Sequence, residues 1–482
     1  MHEKSLSMTV IQPWPDAARL ELHAQLMKAL QTLRKKIIVL DDDPTGTQTV
    51  HDVSVYTDWT HDTLYDAFRS GENMFYILTN SRSFSKKRTI DEHCAIAHTI
   101  VRAAKETGQD FIIVSRSDST LRGHYPVETQ TLREVLESET DAVYDGEILM
   151  PFFPEGGRYT IGDVHYVAIN DMLIPAAETE FARDRTFGYR SSNLREYVIE
   201  KHEGRIRSEN IVSIPLESLR QCDIEGIANA LRAVKDFGKV IVNAVDYADV
   251  EAFVLGFIRA LEAGKRFVFR TAAALPKVLG GISDQPLLNG SNLVDEGNPN
   301  GGLIIVGSHV GKTTKQLEQL RQLDGIEFIE FDVKSVLKPD VFTEEYARVL
   351  HEEEASLRAG KTVALYTSRE RLDAKTGNAE DDLRLSVHIS NAVTGFVRDL
   401  TVRPRFIIAK GGITSSEVGT AGLHIKRARV MGQLLSGVPV WRTGPESKFP
   451  QMPYIIFPGN VGDENALYDA VIELSEEGDV KK

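Results

Sequence analysis

Two α/β domains with mainly parallel sheets are predicted by the length of the chain and by the pattern of its apolar segments. At 482 residues the chain exceeds the size at which a single hydrophobic core stops growing. Short apolar runs rich in Ile and Val recur along it, and they are continuous rather than alternating, which indicates strands covered on both faces. Segments with helical periodicity lie between these runs, and this alternation is typical of a parallel α/β architecture.

The individual elements follow from these runs, taken in chain order. The predicted strands lie in Lys36–Asp43, Met74–Arg82, Phe111–Thr120, Lys239–Asp246, Arg266–Ala272, Gly302–Ser308, Thr362–Ser368, Arg405–Gly412 and Tyr454–Asn460. Thr313–Leu323 and Ala379–Leu400 each place apolar residues on one face at helical spacing, so both are predicted helices.

The division into domains is predicted from composition. Residues 286–301 are rich in Asn, Gly, Pro and Ser and lack apolar periodicity, which indicates a linker. Residues 1–35 are predicted to form a helical extension, 36–285 the first domain and 302–482 the second.

The bulk composition limits the classes of partner. A net charge of -14 argues against nucleic acid as the main partner, because phosphate binding needs a basic face. Two cysteines cannot form a disulfide framework or a zinc site by themselves. The sequence shows no leader-like apolar segment and no apolar stretch of membrane length, so a cytoplasmic protein without a membrane partner is expected. The oligomeric state is left open, a homodimer included.

Two polar clusters follow predicted strands in the first domain, where parallel sheets bind ligands. The first, Asp41–Gln48, begins with three adjacent carboxylates, which need a cation, an arginine or a shared proton, and one of them could serve as a catalytic base. A solvated turn with an Asp as helix cap is an equal alternative. The second, Ser115–Gly123, combines two arginines with Asp118 and hydroxyls, and Arg82 could join it to bind a polyhydroxylated acid. Its alternative is a capped helix start with an internal Asp–Arg pair.

A third segment, Pro151–Arg158, has the prolines and glycines of a stiff loop and presents Glu155 and Arg158. A purely structural loop is equally compatible with it. His165, which follows, would be a core or surface histidine in most proteins.

The second domain carries three Gly-containing strand ends. Gly307–Thr314 lacks a glycine at Val306, so it is not a P-loop, although its backbone amides at a helix start suit an anion. Ala409–Ser416 and Phe457–Asp463 repeat the arrangement, and three such segments in one domain favour a nucleotide site.

The ordered set of motifs resembles the four-carbon acid sugar kinase family, whose members phosphorylate acids such as threonate, erythronate or their 3-oxo forms. The matching segments are DDPTG (Asp42–Gly46), SDSTLRG (Ser117–Gly123), PFFPEGGR (Pro151–Arg158), TEFARD (Thr179–Asp184), FRTAA (Phe269–Ala273), GS…T…Q (Gly307–Gln316), GGIT (Gly411–Thr414) and PGNVGD (Pro458–Asp463). They cover nearly the whole chain from about Lys36 onward.

The resemblance implies an acid-binding first domain, an ATP-binding second domain and an active site in the cleft between them. The substrate side would hold Asp42, Asp43, Arg82, Asp118, Ser119 and Arg122, with Arg158 added as a substrate-binding residue. The ATP side would hold Ser308, Gly411, Gly412, Thr414, Gly459 and Asn460. Ile413 stands where many members have an acidic residue, and the extra Asp41 suggests a branch with a different acid.

The predicted function is therefore an ATP- and Mg²⁺-dependent kinase acting on a hydroxyl of a small sugar acid. Arg82 or Arg122 is expected to hold the substrate carboxylate, and Asp43 or Asp118 to accept the hydroxyl proton. Asp43 is preferred because neighbouring charges can raise its proton affinity. The alternatives are a non-catalytic sensor of sugar acid and nucleotide, and an isomerase or aldolase. The acid, the hydroxyl and the metal ligands are left open.

Overall fold

The computed structural model describes residues 3–295, 297–307, 311–369, 372, 379–459 and 461–475. The chain forms two compact units. The first contains residues 1–50 and 58–284, and the second contains residues 51–57 and 285–482. A seven-residue segment near the N-terminus, His51–Thr57, thus belongs to the second unit although the sequence analysis counted it with the first domain.

The strands and helices alternate along most of the chain. The strands are β1 (Leu6–Ser7), β2 (Lys36–Asp41), β3 (Val53–Tyr56), β4 (Met74–Leu78), β5 (Phe111–Arg116), β6 (Gly146–Met150), β7 (Arg158–Ile161), β8 (Val164–Ile169), β9 (Met172–Pro175), β10 (Ile211–Ile214), β11 (Gly238–Val242), β12 (Phe267–Thr271), β13 (Leu303–Val306), β14 (Ile326–Phe331), β15 (Thr362–Thr367), β16 (Ile407–Lys410), β17 (Arg427–Leu435), β18 (Val438–Thr443) and β19 (Pro453–Phe457). The α-helices are α1 (Asp16–Thr32), α2 (His61–Arg69), α3 (Lys86–Thr107), α4 (Val127–Glu139), α5 (Leu194–Lys201), α6 (Leu216–Arg220), α7 (Ile224–Ala233), α8 (Tyr247–Glu262), α9 (Ala274–Leu279), α10 (Gly290–Leu293), α11 (Gly311–Leu320), α12 (Pro339–Arg358), α13 (Ala379–Asp399), α14 (Gly412–Glu417) and α15 (Ala466–Leu474).

The first unit is built on a parallel sheet whose strands pair in the order β10-β11-β6-β12-β5-β2-β4. Every residue of β2 and β4 is buried, as expected for strands covered on both faces. A smaller antiparallel sheet, β1-β9-β8-β7, lies in the same unit.

The strand order of this sheet reverses beside β2. The chain continues from β2 to β4 on one side and then to β5 on the other. Such a reversal opens a crevice at the carboxyl ends of the strands, where ligands bind in open α/β sheets.

In the second unit the strands pair in the order β3-β17-β18-β19-β16-β13-β15-β14. The strands β19, β16, β13, β15 and β14 are parallel to one another, whereas the pairs β3–β17, β17–β18 and β18–β19 are antiparallel. Leucines of α11 and α15 pack against this sheet in one apolar core. The order reverses beside β13, whose neighbours are β15 and β16.

The structure confirms a two-domain α/β fold with mainly parallel strands. Each of the nine predicted runs contains a strand, and the two predicted helices correspond to α11 and α13. The N-terminal segment contains α1, but also the strand β1 that the sequence analysis did not identify. Cys94 and Cys222 are both free thiols. Within the part of the chain that the structure describes, no helix has the length and apolar character needed to cross a membrane.

Candidate functional site

The first candidate site lies at the carboxyl edge of the first unit's sheet, beside the reversal of strand order. Asp41 is the last residue of β2, and Arg116 is the last residue of β5. The two are opposite each other in the parallel register. The polar segments that follow these strands therefore meet at the crevice.

The three adjacent aspartates of the first segment have different environments. Asp41 and Asp42 are buried, whereas the side chain of Asp43 retains 16% exposure. Asp43 caps a short 3₁₀ turn, and its Oδ1 atom accepts hydrogen bonds from the backbone N–H of Thr45 at 2.9 Å and from its hydroxyl at 2.6 Å. The capping alternative is thus realised by Asp43, but Asp41 and Asp42 are not solvated.

Gly46 is required by the close approach of the turn to Asp41. A Cβ atom at Gly46 would lie 1.9 Å from the Oδ2 atom of Asp41. Because that carboxylate is buried and bonded to Arg116, it has no free space into which to move. The absence of a Cβ atom at Gly46 therefore allows the turn to pack against the end of β2.

Two arginines neutralise the aspartates. Arg82 donates to both oxygens of Asp42, at 2.7 and 3.2 Å, and its Nη1 atom lies 3.4 Å from Asp43 and 3.7 Å from Asp118. Arg116 donates to Asp41 at 3.1 Å and to Asp42 at 3.4 Å. The forked guanidinium groups therefore bring residues of three strand ends into one network.

Asp118 and Arg122 form the internal pair that was the alternative interpretation of the second cluster. Arg122 donates to both oxygens of Asp118, at 2.9 and 3.2 Å, and Asp118 also accepts from the hydroxyl of Thr120. Asp184 lies 3.7 Å from Arg122. Both Asp118 and Arg122 thus have partners before any ligand binds.

The protonation of the carboxylates follows from these contacts. Burial raises the pKa of Asp41 to about 7, against the lowering effect of Arg116. Burial also acts on Asp43, but Arg82 and the donors of Thr45 outweigh it, so the pKa of Asp43 is lowered. The expectation that neighbouring charges raise the proton affinity of Asp43 is therefore wrong, and the raised pKa values are those of the buried Asp41 and Asp42.

Arg158 differs from the other arginines of the cluster. It begins β7 and its guanidinium lies 5.4 Å from the ring centre of Phe181. Like that of Arg116, its Nε atom is buried without a hydrogen-bond partner among the described residues. No carboxylate of the described residues forms an ion pair with it, and desolvation lowers its pKa. An uncompensated, partly buried guanidinium is a site for an anion.

Ser119 is held in place by His165. The buried imidazole lies 2.8 Å from the backbone oxygen of Ser119 through Nε2 and 3.0 Å from the hydroxyl of Thr160 through Nδ1. Burial lowers the pKa of His165 to about 4, so the ring is neutral at physiological pH. Neutral imidazole has one donor, and the carbonyl of Ser119 accepts it, so the Thr160 hydroxyl donates to Nδ1.

Several residues of this cluster were not among the site residues predicted from the sequence. Arg116 is one of the two arginines of the second polar cluster, and Arg270 lies in the FRTAA motif and donates to the backbone oxygen of Arg122 at 2.8 Å. Phe181, also inside a motif, lies against both Arg122 and Arg158. Glu128 accepts a hydrogen bond from Ser81 at 2.7 Å. Membership of the FRTAA and TEFARD motifs was the signal available for Arg270 and Phe181, whereas Glu128 had none.

The second candidate site lies at the carboxyl edge of the second unit's sheet. A Cβ atom at Gly307, just after β13, would lie 2.6 Å from the hydroxyl of Thr414. Gly411 has a φ of 119°, and its N–H donates to the backbone oxygen of Phe457 at 2.8 Å. Gly412 begins α14, and Gly459 accepts from the Thr313 hydroxyl at 3.5 Å. The predicted Gly-containing segments therefore meet at one edge.

Two predicted ATP residues, Ser308 and Asn460, lie outside the described residues. Ile413, at which the resemblance led us to expect a departure from the family, is 63% exposed. Among the residues described, no group of three or more His, Cys, Asp or Glu side chains could hold a metal ion.

Two family models match separate parts of the chain. A model described as a sugar-binding N-terminal domain matches residues 37–279, which is half of the chain. A model described as a nucleotide-binding C-terminal domain matches residues 303–467. The chain belongs to the four-carbon acid sugar kinase family.

Individual relatives are distant. The chain is 26% identical over 246 residues to a protein named D-erythronate kinase from Heliobacterium modesticaldum, and the match covers 49% of each chain. It thus spans about half the length of this curated relative. A solved structure from Salmonella typhimurium LT2 superposes with a TM-score of 0.61 at 18% identity, covering 90% of this chain and 98% of the other. One from Haemophilus influenzae superposes with a TM-score of 0.58 at 17% identity, covering 91% and 100%. These similarities establish the fold.

Proposed function

We propose that the protein is an ATP-dependent kinase that phosphorylates a hydroxyl of a small sugar acid, with four carbons as the first choice. The observation that carries this proposal is the uncompensated Arg158 beside a carboxylate–arginine network at the crevice of the first unit. A family of acid sugar kinases and a relative named D-erythronate kinase support the same class of substrate.

We assign the substrate carboxylate to Arg158. The sequence suggested Arg82 or Arg122 for this role. Arg82 already binds both oxygens of Asp42 through Nε and Nη2, and Arg122 binds both oxygens of Asp118 in the same way. A carboxylate brought to either of them would compete with an existing buried pair, whose disruption costs about 3–5 kcal/mol. Arg158 forms no ion pair with a carboxylate of the described residues, although Asp118 stabilises its charge at longer range.

We assign the role of proton acceptor to Asp43 rather than Asp118. One oxygen of Asp43 caps the turn, and the other has only the 3.4 Å contact to Arg82. Asp118 uses both oxygens in bonds to Arg122 and Thr120, and its pKa is held far below the usual range chiefly by Arg82 and Arg122, which outweigh burial. An ionised carboxylate whose second oxygen has only this long contact to Arg82 can accept the hydroxyl proton of the substrate during phosphoryl transfer.

In this proposal ATP binds at the Gly-containing edge of the second unit, where backbone amides can approach phosphates. Mg²⁺ would neutralise phosphate charge. It commonly keeps several waters and takes only one or two carboxylates, which fits a chain whose described residues contain no dedicated acidic cluster. The residues present therefore fit a metal ion that arrives with the nucleotide.

The test is ADP release from ATP and Mg²⁺ with a panel of four- and five-carbon sugar acids and their neutral polyol counterparts. Asp43→Asn should lower kcat by about 10²–10⁴-fold. Arg158→Gln should raise KM for the acid by about 10–100-fold while changing the activity with polyols little. Arg190→Gln, at a side chain with 87% exposure, is the matched control.

Two outcomes would contradict these assignments. Activity retained in Asp43→Asn and lost in Asp118→Asn would move the base to Asp118. ATP binding without ADP release for any acid would favour the alternative of a non-catalytic sensor, which needs no proton acceptor such as Asp43.

A further inference from the structure

Two cationic side chains lie on either side of β13 at the carboxyl edge of the second unit's sheet. Lys410 is the last residue of β16, and it is opposite Val306 of β13 in the register. Tyr366 of β15 is opposite Val306 on the other side, and Arg369 follows three residues later. Adjacent strands are about 4.8 Å apart, so the backbones on the two sides of β13 are about 10 Å apart at this level.

Lys410 is a buried cation without an anionic partner among the described residues. Its side chain is 0% exposed, and its Nζ atom donates to the backbone oxygen of Pro458 at 2.7 Å and lies 3.9 Å from the ring centre of Phe457. No carboxylate of the described residues pairs with it. Burial, with a further contribution from Lys312, lowers its pKa to about 7.

Arg369 is also incompletely bonded. Its Nη2 atom donates to the hydroxyl of Thr314 at 2.7 Å. Its Nε and Nη1 atoms are buried and have no hydrogen-bond partner among the residues that the structure describes. A buried donor without an acceptor costs about 1–3 kcal/mol, and an acceptor brought by a ligand would remove that cost.

Both cations are close to the first turn of α11. Thr314 belongs to that turn, and Lys312 in the same turn donates to the backbone oxygen of Gly462. The N–H groups at the beginning of this ten-residue helix add positive potential to that of the side chains. Three sources of positive potential thus lie close together, and no acidic side chain of the described residues is paired with Lys410 or Arg369.

We propose that Lys410 and Arg369 bind the β- and γ-phosphates of the nucleotide from the two sides of β13. This inference rests on the proposed function, because it assigns phosphate contacts within the ATP site. Arg369 supplies a fork for phosphate oxygens, and Lys410 supplies a point charge.

A structural role for these side chains makes a different prediction. If Lys410 only ties the loop at Pro458 to β16, its loss changes stability and weakens every nucleotide alike. If it binds the terminal phosphates, its loss weakens ATP and leaves AMP, which lacks those phosphates, nearly unchanged.

The experiment is calorimetric titration of the full chain with ATP plus Mg²⁺, and separately with AMP. We expect Lys410→Met and Arg369→Gln each to weaken ATP binding by about 10–100-fold and AMP binding by less than about threefold. Arg369→Lys should recover part of the loss. Lys361→Met, at the opposite end of β15 with 54% side-chain exposure, is the matched control and should bind ATP as the wild type does.

The outcomes separate the two proposals. If the wild type binds no ATP, the proposed function fails and this inference fails with it. If the wild type binds ATP and both variants bind it within about twofold of the wild type, or if ATP and AMP weaken equally, only this inference is overturned. Should Lys410→Met not fold, as judged by circular dichroism, Arg369→Gln decides the result, because its side chain is at the edge of the sheet rather than in the core.

Discussion

Asp41 and Asp43 should affect the pH dependence of stability in opposite directions, although they are two residues apart. Burial raises the pKa of Asp41 from 3.8 to about 7, so the folded protein retains a proton that the unfolded chain releases. Stability from this proton is fully present below pH 3.8 and is lost as the pH rises through about 7. The full shift corresponds to a change on the order of 4 kcal/mol in the free energy of unfolding.

Asp43 has the opposite behaviour. Its pKa is lowered, chiefly because the guanidinium of Arg82 and the donors of Thr45 outweigh burial. The stability that these contacts provide is therefore present above the unfolded pKa and is lost as the pH falls below about 4. The groups that act on Asp41 are Arg116, Asp42, Asp43 and Arg82, so each substitution also changes the field at its neighbours.

The assay is urea unfolding of the wild type, Asp41→Asn and Asp43→Asn at intervals between pH 3 and pH 8. The free energy of the wild type minus that of Asp41→Asn should fall as the pH rises from about 4 to about 8. The corresponding difference for Asp43→Asn should rise between about pH 3 and pH 5 and then remain constant. Equal slopes for the two variants, or a flat difference for Asp41→Asn, would refute the assignment of the buried proton to Asp41.

Two further substitutions test the packing and the second unit. Gly46→Ala places a Cβ atom 1.9 Å from Asp41, so we expect the free energy of unfolding to fall by about 2–4 kcal/mol, whereas Gly71→Ala, with nothing within 4 Å, should change it little. Glu353 is fully buried, both of its oxygens lack partners among the described residues, and burial raises its pKa well above the usual value. Glu353→Gln should therefore stabilise the protein by about 2–4 kcal/mol at pH 8 and little at pH 4, measured by the same urea titration, and a loss of stability at pH 8 would contradict this.

Some of the strands that were not predicted from the sequence are only partly buried, although others, such as β3 and β6, are buried along their whole length. The predicted strands are continuous apolar runs because both of their faces are covered, as in β2 and β4. In contrast, β7 and β17 contain partly exposed residues, and their burial alternates or varies along the strand. A short run of mixed polarity does not distinguish a sheet edge from a loop, so these strands depend on pairing partners distant in the chain.

The candidate site also shows what a sequence pattern cannot predict. Motif position was enough to select Asp42, Asp43 and Asp118, because polar residues after parallel strands gather at one edge. It could not show that Arg82 forms a buried ion pair whereas Arg158 forms none with the described residues, the difference on which we base the proposal for Arg158. That choice depends on which carboxylates lie within about 3–4 Å of each arginine.

The sequence by itself determined the fold class, the order of the strand runs and the segments that carry polar side chains to the sheet edges. These features follow from local hydrophobic patterning and from the position of polar residues relative to it. Tertiary structure alone decided which charges are paired, which carboxylate retains its proton and which cations remain uncompensated. These properties depend on burial and on distances between strands far apart in the chain, and a one-dimensional pattern contains neither quantity.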